Sequence, residues 1–511
     1  MSSPVSSTLS SPESSRTASA LRVARNLFLL PVVAVLSIAC SDGKDAPVSE
    51  FLPISQPTVE MPPATGLIGL PTVSFDVAAQ GYMQSEYFVS GTATAFTNLN
   101  ALGTDGNWQV EPASTADYKT RVVVYRPMDA ADFSGTVLVE WLNVTSGADL
   151  APSFNAAHTG IFRDGHAWVG VSAQRVGIEG SATGLLPPLK QSDPARYGSL
   201  VHPGDSFSYD LFSQIAQALR APGDIDILGG LAADKLIAFG ESQSAGRMVT
   251  YLNAVHPLYN AYDGYMVYSR GDGSSPLAQE PQTLIPVPEN VLVRTDLNVP
   301  VMTFQTETDL LLLGYVTDRQ EDTDLFRLWE VAGTAHADQY TTVSGFDDDG
   351  SDPVFAVVAE NNAIAGGLLT CESPLNNGPM PWVFNAAVHA LVEWVNNGTL
   401  PPVSDRLAVS DDLSTFLYDD VGNVLGGIRT SYVDAPAAVL SGEGQGGGGF
   451  CFLFGTTRLL DAAEMAALYV DKAGYVQAVS DTTDNAVARG FLLPPDAERI
   501  KAAASLQWDR L

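Results

Sequence analysis

One serine stands where an apolar run ends and a helical pattern begins. Residues 236–239 favour a strand buried on both faces, and the apolar side chains after position 244 recur at helical spacing. Ser242 lies in the turn between them, with Gly240 two positions before it and Ser244 two positions after it. A serine hydroxyl is a weak nucleophile, and a sharp turn of this kind exposes it to a base and to backbone N–H groups that hold an oxyanion. The stretch therefore predicts a nucleophile elbow at Ser242.

Ser244 is the alternative nucleophile, because Gly246 follows it at the same spacing. The strict pattern, with glycine two residues before and two residues after the serine, is not met at Ser242. We favour Ser242 because it directly follows the apolar run, where a strand must turn. The less specific interpretation is a glycine and serine loop between an ordinary strand and helix.

A nucleophile on such an elbow is followed in the chain by an acid and then by a histidine, each after a later strand. The chain has six histidines, of which His256, His336 and His389 follow Ser242. His256 is too close to the helix that the elbow begins, and His389 lies in a helical pattern. His336 follows a short apolar run that breaks at a glycine, and it is the predicted base.

Two carboxylates follow the apolar run 299–305, which is typical of the next strand. We favour Asp309 as the acid that orients the histidine, because it directly precedes further apolar residues. Glu307 is the alternative, and we expect it to be more exposed. A solvated loop charge is the competing interpretation for either residue. The acid would hold one imidazole tautomer and stabilise the imidazolium without taking the proton itself.

Length and charge limit the possible functions. The chain has 511 residues and a formal net charge of −32, enough for one large domain with insertions or for two domains. The acidity argues against nucleic acids and anionic membrane surfaces as partners, because their phosphates would be repelled. No cluster of histidines and cysteines has the spacing of metal ligands. We therefore predict no catalytic metal and no cofactor.

Residues 1–39 are typical of an export signal. Three arginines precede the apolar run 27–39, which is too short to span a bilayer as a stable helix. The run ends at Cys40, as in a bacterial lipoprotein signal, although Ser37 stands where leucine is usual. We expect a mature chain that begins at lipidated Cys40, is periplasmic, anchored to the outer membrane or at the cell surface, and touches the membrane only through that lipid. Ordinary signal-peptide cleavage nearby is the alternative.

The remaining chain is expected to contain three parts. Residues 40–66 are rich in proline and indicate a tether. Residues 67–370 alternate between strand and helix patterns, which predicts an α/β fold with a mostly parallel sheet and helices on both faces. Residues 371–511 are less regular and indicate an appended mixed α/β subdomain that is a candidate cap. The glycine run at 443–449 is the candidate for a mobile lid.

The folded part contains two cysteines, Cys371 and Cys451. In an oxidising compartment such a pair can form a disulfide. We predict this bond, and two free buried thiols are the alternative.

Four segments carry a resemblance to a known family. They are Val139–Val144, Gly240–Arg247, Glu330–Asp338 and Gly490–Asp496. The chain, from about residue 70 to its end, resembles a bacterial family known as alpha/beta hydrolase domain. The resemblance implies the α/β-hydrolase fold and, by position, the catalytic residues Ser242, Asp309 and His336. It implies no substrate, because this fold hosts esterases, lipases, thioesterases and peptidases.

In that fold the oxyanion hole combines the N–H of the residue after the nucleophile with an N–H from a loop after an earlier strand. We assign the first to Gln243 and the second to the segment 142–144, with Asn143 as the choice. The expected function is an exported serine hydrolase that cleaves a small-molecule carboxylic ester through an acyl-enzyme. Amide or thioester hydrolysis is one alternative, and a catalytically inactive binding lipoprotein is the other.

Overall fold

A large sheet organises the part of the chain that carries the predicted site. The computed structural model describes residues 51–510 apart from 183, 365, 366 and 368. Within these residues the main sheet has nine strands. They are β1 Thr58–Glu60, β2 Tyr82–Asn98, β3 Val110–Pro127, β4 Thr136–Trp141, β5 Ala167–Val171, β6 Lys235–Glu241, β7 Gly264–Tyr268, β8 Val301–Gln305 and β9 Phe326–Glu330.

The strand order is β1-β2-β3-β5-β4-β6-β7-β8-β9. From β5 to β9 along this order every neighbouring pair is parallel. The strands β4, β5, β7, β8 and β9 are buried at every position, as expected of apolar runs covered on both faces. The sheet continues beyond β5 with three further strands, β3, β2 and β1. The pairs β3–β5, β2–β3 and β1–β2 are all antiparallel. The predicted mostly parallel sheet is confirmed.

Helices separate most of the parallel strands. The helix at 208–220 carries its apolar residues on one stripe and buries most of its length. The described helices are α1 Pro152–Arg163, α2 Arg175–Glu179, α3 Leu189–Ser192, α4 Pro194–Tyr197, α5 Ser208–Arg220, α6 Gln243–Thr250, α7 His256–Tyr259, α8 Glu307–Leu311, α9 Met380–Asn397, α10 Ser431–Asp434, α11 Ala462–Tyr469, α12 Lys472–Ala488 and α13 Pro494–Trp508.

Helices cover both faces of the sheet. The ring of Trp141 in β4 lies 5.0 Å from that of Phe212 in α5, measured between centroids. The ring of Tyr268 in β7 lies 4.4 Å from that of Phe384 in α9. Trp141 and Tyr268 pair with consecutive residues of β6, and consecutive residues of a strand project to opposite faces. The helices α5 and α9 therefore lie on opposite sides of the sheet.

Part of the predicted tether 40–66 forms the strand β1. Thr58 pairs with Ser90 and Glu60 with Phe88, so this short segment adds an edge strand to the long hairpin β2–β3. Such an edge strand tolerates the flanking prolines because only one of its sides must form ladder hydrogen bonds. The predicted export signal and Cys40 lie outside the described residues. In the part of the chain that the structure describes, the helices are all too short or too polar to cross a membrane.

The C-terminal residues pack onto the preceding chain. Two further hairpins are formed by β10 Ala363–Ile364 with β11 Leu369–Thr370 and by β12 Ala438–Ser441 with β13 Thr456–Leu459. Gln507 of α13 accepts the backbone N–H of Val358 at 2.7 Å, and the described residues 51–510 belong to one compact unit. Cys371 and Cys451 are joined by a disulfide. The division into a core that ends at residue 370 and an appended subdomain that begins at residue 371 stays a prediction.

Candidate active site

The turn after β6 holds Ser242 in a constrained conformation. Ser242 has φ 56° and ψ −121°, a region that residues with a side chain rarely adopt, and α6 begins at the next residue. A Cβ added to Gly240 would lie 2.6 Å from the carbonyl oxygen of Ser244 and 2.6 Å from Cγ of Met248. Only glycine fits at position 240, because the strand and the helix approach so closely there. The turn has the geometry that the sequence predicts for an elbow.

Three side chains that the sequence singled out lie within hydrogen-bond distance in series. Nε2 of His336 lies 2.8 Å from Oγ of Ser242, and Nδ1 of His336 lies 2.6 Å from Oδ1 of Asp309. The other oxygen of Asp309 accepts both the N–H and the hydroxyl of Thr306, each at 2.8 Å. A carboxylate can only accept, so the proton of the neutral imidazole belongs on Nδ1 and Nε2 is free to accept from the serine.

Ser244 is placed differently. It is fully buried, and its hydroxyl donates to the carbonyl of Leu142 at 3.3 Å. Among the described residues His336 bonds Ser242 and not Ser244. The geometry therefore favours Ser242 over the alternative nucleophile.

The acid and the histidine occupy neighbouring positions because β8 and β9 are adjacent and parallel, so the loops after them emerge at the same edge. The N–H of His336 donates to Oγ1 of Thr308 at 3.2 Å, and that hydroxyl donates to the carbonyl of Gly442 at 2.7 Å. The loop that carries the acid thus also holds the backbone of the histidine.

Glu307 is fully buried, so the expectation that it would be more exposed is wrong. Its two oxygens accept the backbone N–H groups of Gly333 at 2.6 Å and Gly442 at 2.7 Å. Burial raises the pKa of Glu307 to about 8. The hydrogen bonds from the two N–H groups lower this pKa, but their effect is smaller than that of burial. Its contacts join the loops after β8, β9 and β12, and no contact with His336 is found among the described residues. Glu307 therefore stabilises the loops that surround the site and is not one of its reacting groups.

A further acid faces the imidazole. Oε1 of Glu241 lies 3.5 Å from Nε2 of His336, while Oε2 accepts from Nδ2 of Asn143 at 2.9 Å. Burial, the largest influence, raises the pKa of Glu241 to about 8. Burial lowers the pKa of His336, but the charge and hydrogen bond of Asp309, with the charge of Glu241, outweigh it and leave that pKa raised.

The predicted oxyanion donors are only partly available. The N–H of Gln243 is at the first position of α6, where helical amides have no partner within the helix. The N–H of Asn143 donates to the carbonyl of Leu150 at 3.0 Å, so its assignment as the second donor is wrong. The N–H of Leu142 is also engaged, because it donates to the carbonyl of Val171 in β5 at 3.1 Å. Among the described residues the N–H of Val144 has no acceptor, and it is the donor that this loop leaves free.

A cavity of about 490 Å³ opens beside Ser242 and His336. This volume lies in the range of small-molecule sites. The side chains and backbone that line it come from four other segments as well as from the elbow and the loop of His336. The lining includes Thr145, Gly271–Ser275, Leu313 and Phe450 with Phe452–Leu453. A small molecule can therefore reach both the serine and the histidine.

The family model for the alpha/beta hydrolase domain matches residues 53–502. The chain belongs to this family. The resemblance seen in the four sequence segments is thereby confirmed, and the chain is a hydrolase of the alpha/beta class. A search of curated proteins finds no match to the chain.

Solved structures give weaker similarities to this alpha/beta hydrolase. Acetyl xylan esterase 1 from Thermoanaerobacterium sp. JW/SL YS485 is 10% identical with a TM-score of 0.23, over 42% of this chain and 53% of that one. A serine hydrolase without lid from Xanthomonas campestris is 12% identical with a TM-score of 0.24, over 48% and 86%. A thermostable esterase from Pseudomonas putida ECU1011 is 12% identical with a TM-score of 0.24, over 46% and 66%. The family match therefore carries the assignment.

Some residues of this hydrolase site were not singled out from the sequence. Thr306 stands three residues before Asp309, and the two form a capping box at the start of α8. That spacing is a recognised sequence signal and would have favoured Asp309 over Glu307. Glu241 was visible inside the elbow motif, but its contact with the histidine depends on the folded loop. Phe452 had no signal, because its segment is far from the elbow in the chain.

Proposed function

We propose that this protein is an exported serine hydrolase that cleaves carboxylic esters through an acyl-enzyme intermediate. The observation that carries the proposal is the series Ser242, His336 and Asp309, with 2.8 Å between the hydroxyl and Nε2 and 2.6 Å between Nδ1 and the carboxylate. These distances lie within hydrogen-bond reach of a nucleophile, its base and the group that orients the base.

In the acylation step, Oγ of Ser242 attacks the ester carbonyl carbon while Nε2 of His336 takes the hydroxyl proton. The carbonyl oxygen becomes an oxyanion, which the N–H groups of Gln243 and Val144 stabilise by hydrogen bonding. Asp309 holds the imidazole in this tautomer and stabilises the imidazolium. The tetrahedral intermediate then collapses, the bond to the alcohol oxygen breaks, and Nε2 delivers its proton to that oxygen.

Deacylation uses the same groups. A water molecule enters the cavity, His336 takes one of its protons, and the resulting hydroxide attacks the acyl carbon. Collapse of the second intermediate breaks the bond to Oγ of Ser242, which recovers its proton from His336. The products are a carboxylic acid and an alcohol, and the enzyme returns to its initial state.

Export is also part of the proposal. The order of an arginine-bearing segment, a short apolar run and Cys40 supports it, although these residues lie outside the described part. The bond between Cys371 and Cys451 is of a kind that persists in oxidising compartments. Metabolic labelling with palmitate should mark the wild-type protein and not Cys40→Ala. If the wild-type protein carried no palmitate and were found in the membrane-free fraction, the proposal of a lipid anchor would be overturned.

The experiment that tests the activity compares two neighbouring serines. Hydrolysis of phenyl acetate by the purified protein should fall by about 10⁶-fold in kcat for Ser242→Ala. Ser244→Ala removes a buried hydroxyl that bonds Leu142, so it should keep activity within about tenfold of the wild type. Activity that survives Ser242→Ala but not Ser244→Ala would overturn the choice of nucleophile. A folded wild type that cleaves no ester, amide or thioester would favour a binding protein.

A further inference from the structure

One side of the cavity beside Ser242 is apolar. Leu313 and the side chains Phe450, Phe452 and Leu453 line it, and we call these four residues the apolar wall. The last three belong to the loop 442–455, which connects β12 to β13. The side chain of Phe452 is left 44% exposed, and no aromatic partner for it is found among the described residues. A ligand in the cavity would cover this ring and gain the free energy of apolar burial.

The backbone that presents the apolar wall is held in place. Cys451, between the two phenylalanines, is bonded to Cys371. The carbonyl of Leu453 accepts the N–H of Ala337 at 3.0 Å, and that of Phe454 accepts the N–H of Asn376 at 2.9 Å. A wall fixed before the ligand arrives costs less ordering entropy on binding than a free loop. The loop therefore presents a fixed surface that part of a substrate can contact.

The position of the loop indicates which part of an ester it contacts. Ala337, which bonds Leu453, directly follows His336. In an ester hydrolysis the imidazole gives its proton to the leaving alcohol, so the alcohol oxygen must lie close to Nε2 of His336. The carbonyl oxygen must lie at the amides of Gln243 and Val144. The hydrogen bond of Leu453 to the residue after His336 therefore favours contact between the loop 442–455 and the alcohol portion.

The charges around the cavity restrict what can bind. Among the described residues that line it, none is a lysine or an arginine, and Asp272 is an exposed carboxylate. The whole chain carries a formal net charge of −32. An anionic group in this cavity would meet repulsion without a compensating cation.

We propose that Phe450 and Phe452 bind the alcohol portion of the substrate and that this portion is an aromatic group without negative charge. The inference rests on the proposed ester hydrolysis and adds the substrate class. Contacts between aromatic rings exceed simple area burial by an amount that corresponds to about threefold to tenfold in kcat/KM.

Acetate esters that differ only in the alcohol test the inference, because all of them form the same acetyl-enzyme. Benzyl acetate should be cleaved with a kcat/KM about threefold to tenfold above that of cyclohexylmethyl acetate, which is similar in size but not aromatic. Phe452→Ala should remove this preference. Phe452→Leu should keep part of the affinity for both esters and lose the aromatic preference.

Phe51→Ala is the matched control. Phe51 is 43% exposed, close to the 44% of Phe452, and does not line the cavity. This variant should keep the wild-type preference and the wild-type melting temperature. A Phe452→Ala protein with an unchanged melting temperature shows that a change in preference comes from the site and not from loss of fold.

The charge and side of the bound group are tested with two further substrates. 4-Carboxybenzyl acetate should be cleaved at least about tenfold less efficiently than benzyl acetate, because its carboxylate is repelled. Equal or faster cleavage of this ester would overturn the exclusion of negatively charged groups. If Phe452→Ala changed the cleavage of methyl phenylacetate and left benzyl acetate unaffected, the apolar wall would hold the acyl portion and the inference would be overturned.

Failure of the inference differs from failure of the proposed function. A wild type that cleaves ethyl acetate and benzyl acetate with no dependence on Phe452 would overturn the inference alone. A wild type that cleaves no ester in the series would overturn the proposed function and the inference together.

Discussion

The carboxyl group of Glu241 lies 3.5 Å from Nε2 of His336, on the residue directly before Ser242. Negative charge on Glu241 raises the pKa of His336. Hydrolysis needs the neutral imidazole, so activity should be lost as pH falls through the His336 pKa, which lies above the usual 6.5. Glu241→Gln should move this acid limb to lower pH by a small amount, because the pKa of Glu241, about 8, leaves only a fraction of its carboxyl groups ionised where His336 titrates.

The measurement is kcat/KM for an acetate ester as a function of pH. Glutamine keeps an oxygen that can accept from Nδ2 of Asn143, so the loop should stay in place. The shift should be smaller than the one caused by removing the charge of Asp309, since Asp309 lies at 2.6 Å from the imidazole and Glu241 at 3.5 Å. An acid limb that stays fixed or moves to higher pH would contradict this role.

Asp309→Asn should lower kcat by about 10⁴-fold, because an amide at this position can donate to Nδ1 and force the proton onto Nε2. The imidazole then cannot accept from Ser242. The matched control is Asp272→Asn, an exposed carboxylate at the same cavity, which should change kcat by less than about tenfold. Steady-state kinetics with phenyl acetate distinguishes the two. A comparable loss in both variants would show that net charge, and not tautomer control, is what matters.

Glu307→Gln should destabilise the protein by about 1–3 kcal/mol, because an amide N–H₂ would face one of two buried N–H donors, from Gly333 or Gly442. The free energy of unfolding in urea measures this cost. Glu443→Gln is the control, since Glu443 is half-buried and, among the described residues, its carboxylate accepts a hydrogen bond only from Tyr418, at 3.5 Å. Equal stability of Glu307→Gln and the wild type would contradict the proposed support of the loops.

The ionisation of Glu307 also predicts a pH dependence of stability. Its pKa in the folded state, about 8, is above the usual 4.5, so the folded state binds the proton more tightly than the unfolded state. The contribution is complete below about pH 4.5 and is lost as pH rises through about 8. The difference in stability between the wild type and Glu307→Gln should therefore narrow from pH 5 to pH 9. A constant difference would show that Glu307 does not titrate in this range.

Replacing both Cys371 and Cys451 with serine should lower the free energy of unfolding by about 4 kcal/mol, since the bond closes a loop of 80 residues in the unfolded chain. The same variant should lose the aromatic preference, because the loop 442–455 is no longer held beside the cavity. Dithiothreitol should lower the melting temperature of the wild type and leave that of the variant unchanged. A reductant with no effect on the wild type would contradict the role of the bond.

The residues that do the proposed chemistry could be predicted because parallel strands impose an order. The strands β6, β8 and β9 end at residues 241, 305 and 330, and the loops after them emerge at one edge of the sheet. Polar residues directly after apolar runs therefore converge. This rule predicts that Ser242, Asp309 and His336 lie at the same edge of the sheet.

The supporting contacts could not be predicted because they join segments that are distant in the chain. Glu307 bonds Gly442 across 135 positions, and the exposure expected for Glu307 from its loop position was wrong for that reason. The amide of Asn143 is engaged by Leu150 through a turn that closes locally, which moves the free N–H to Val144. Nothing in the local sequence distinguishes these amides. Periodicity locates strands, but it does not assign the partners of loop amides.

The most direct test of the central claim is labelling with a fluorophosphonate probe followed by peptide mass spectrometry. Such a probe reacts only with a serine that a base has activated. Wild-type protein should carry one adduct, on Ser242, and His336→Ala should carry none while it keeps the wild-type melting temperature. An adduct on Ser244, or labelling of Ser242 that persists in His336→Ala, would contradict the claim that His336 activates Ser242.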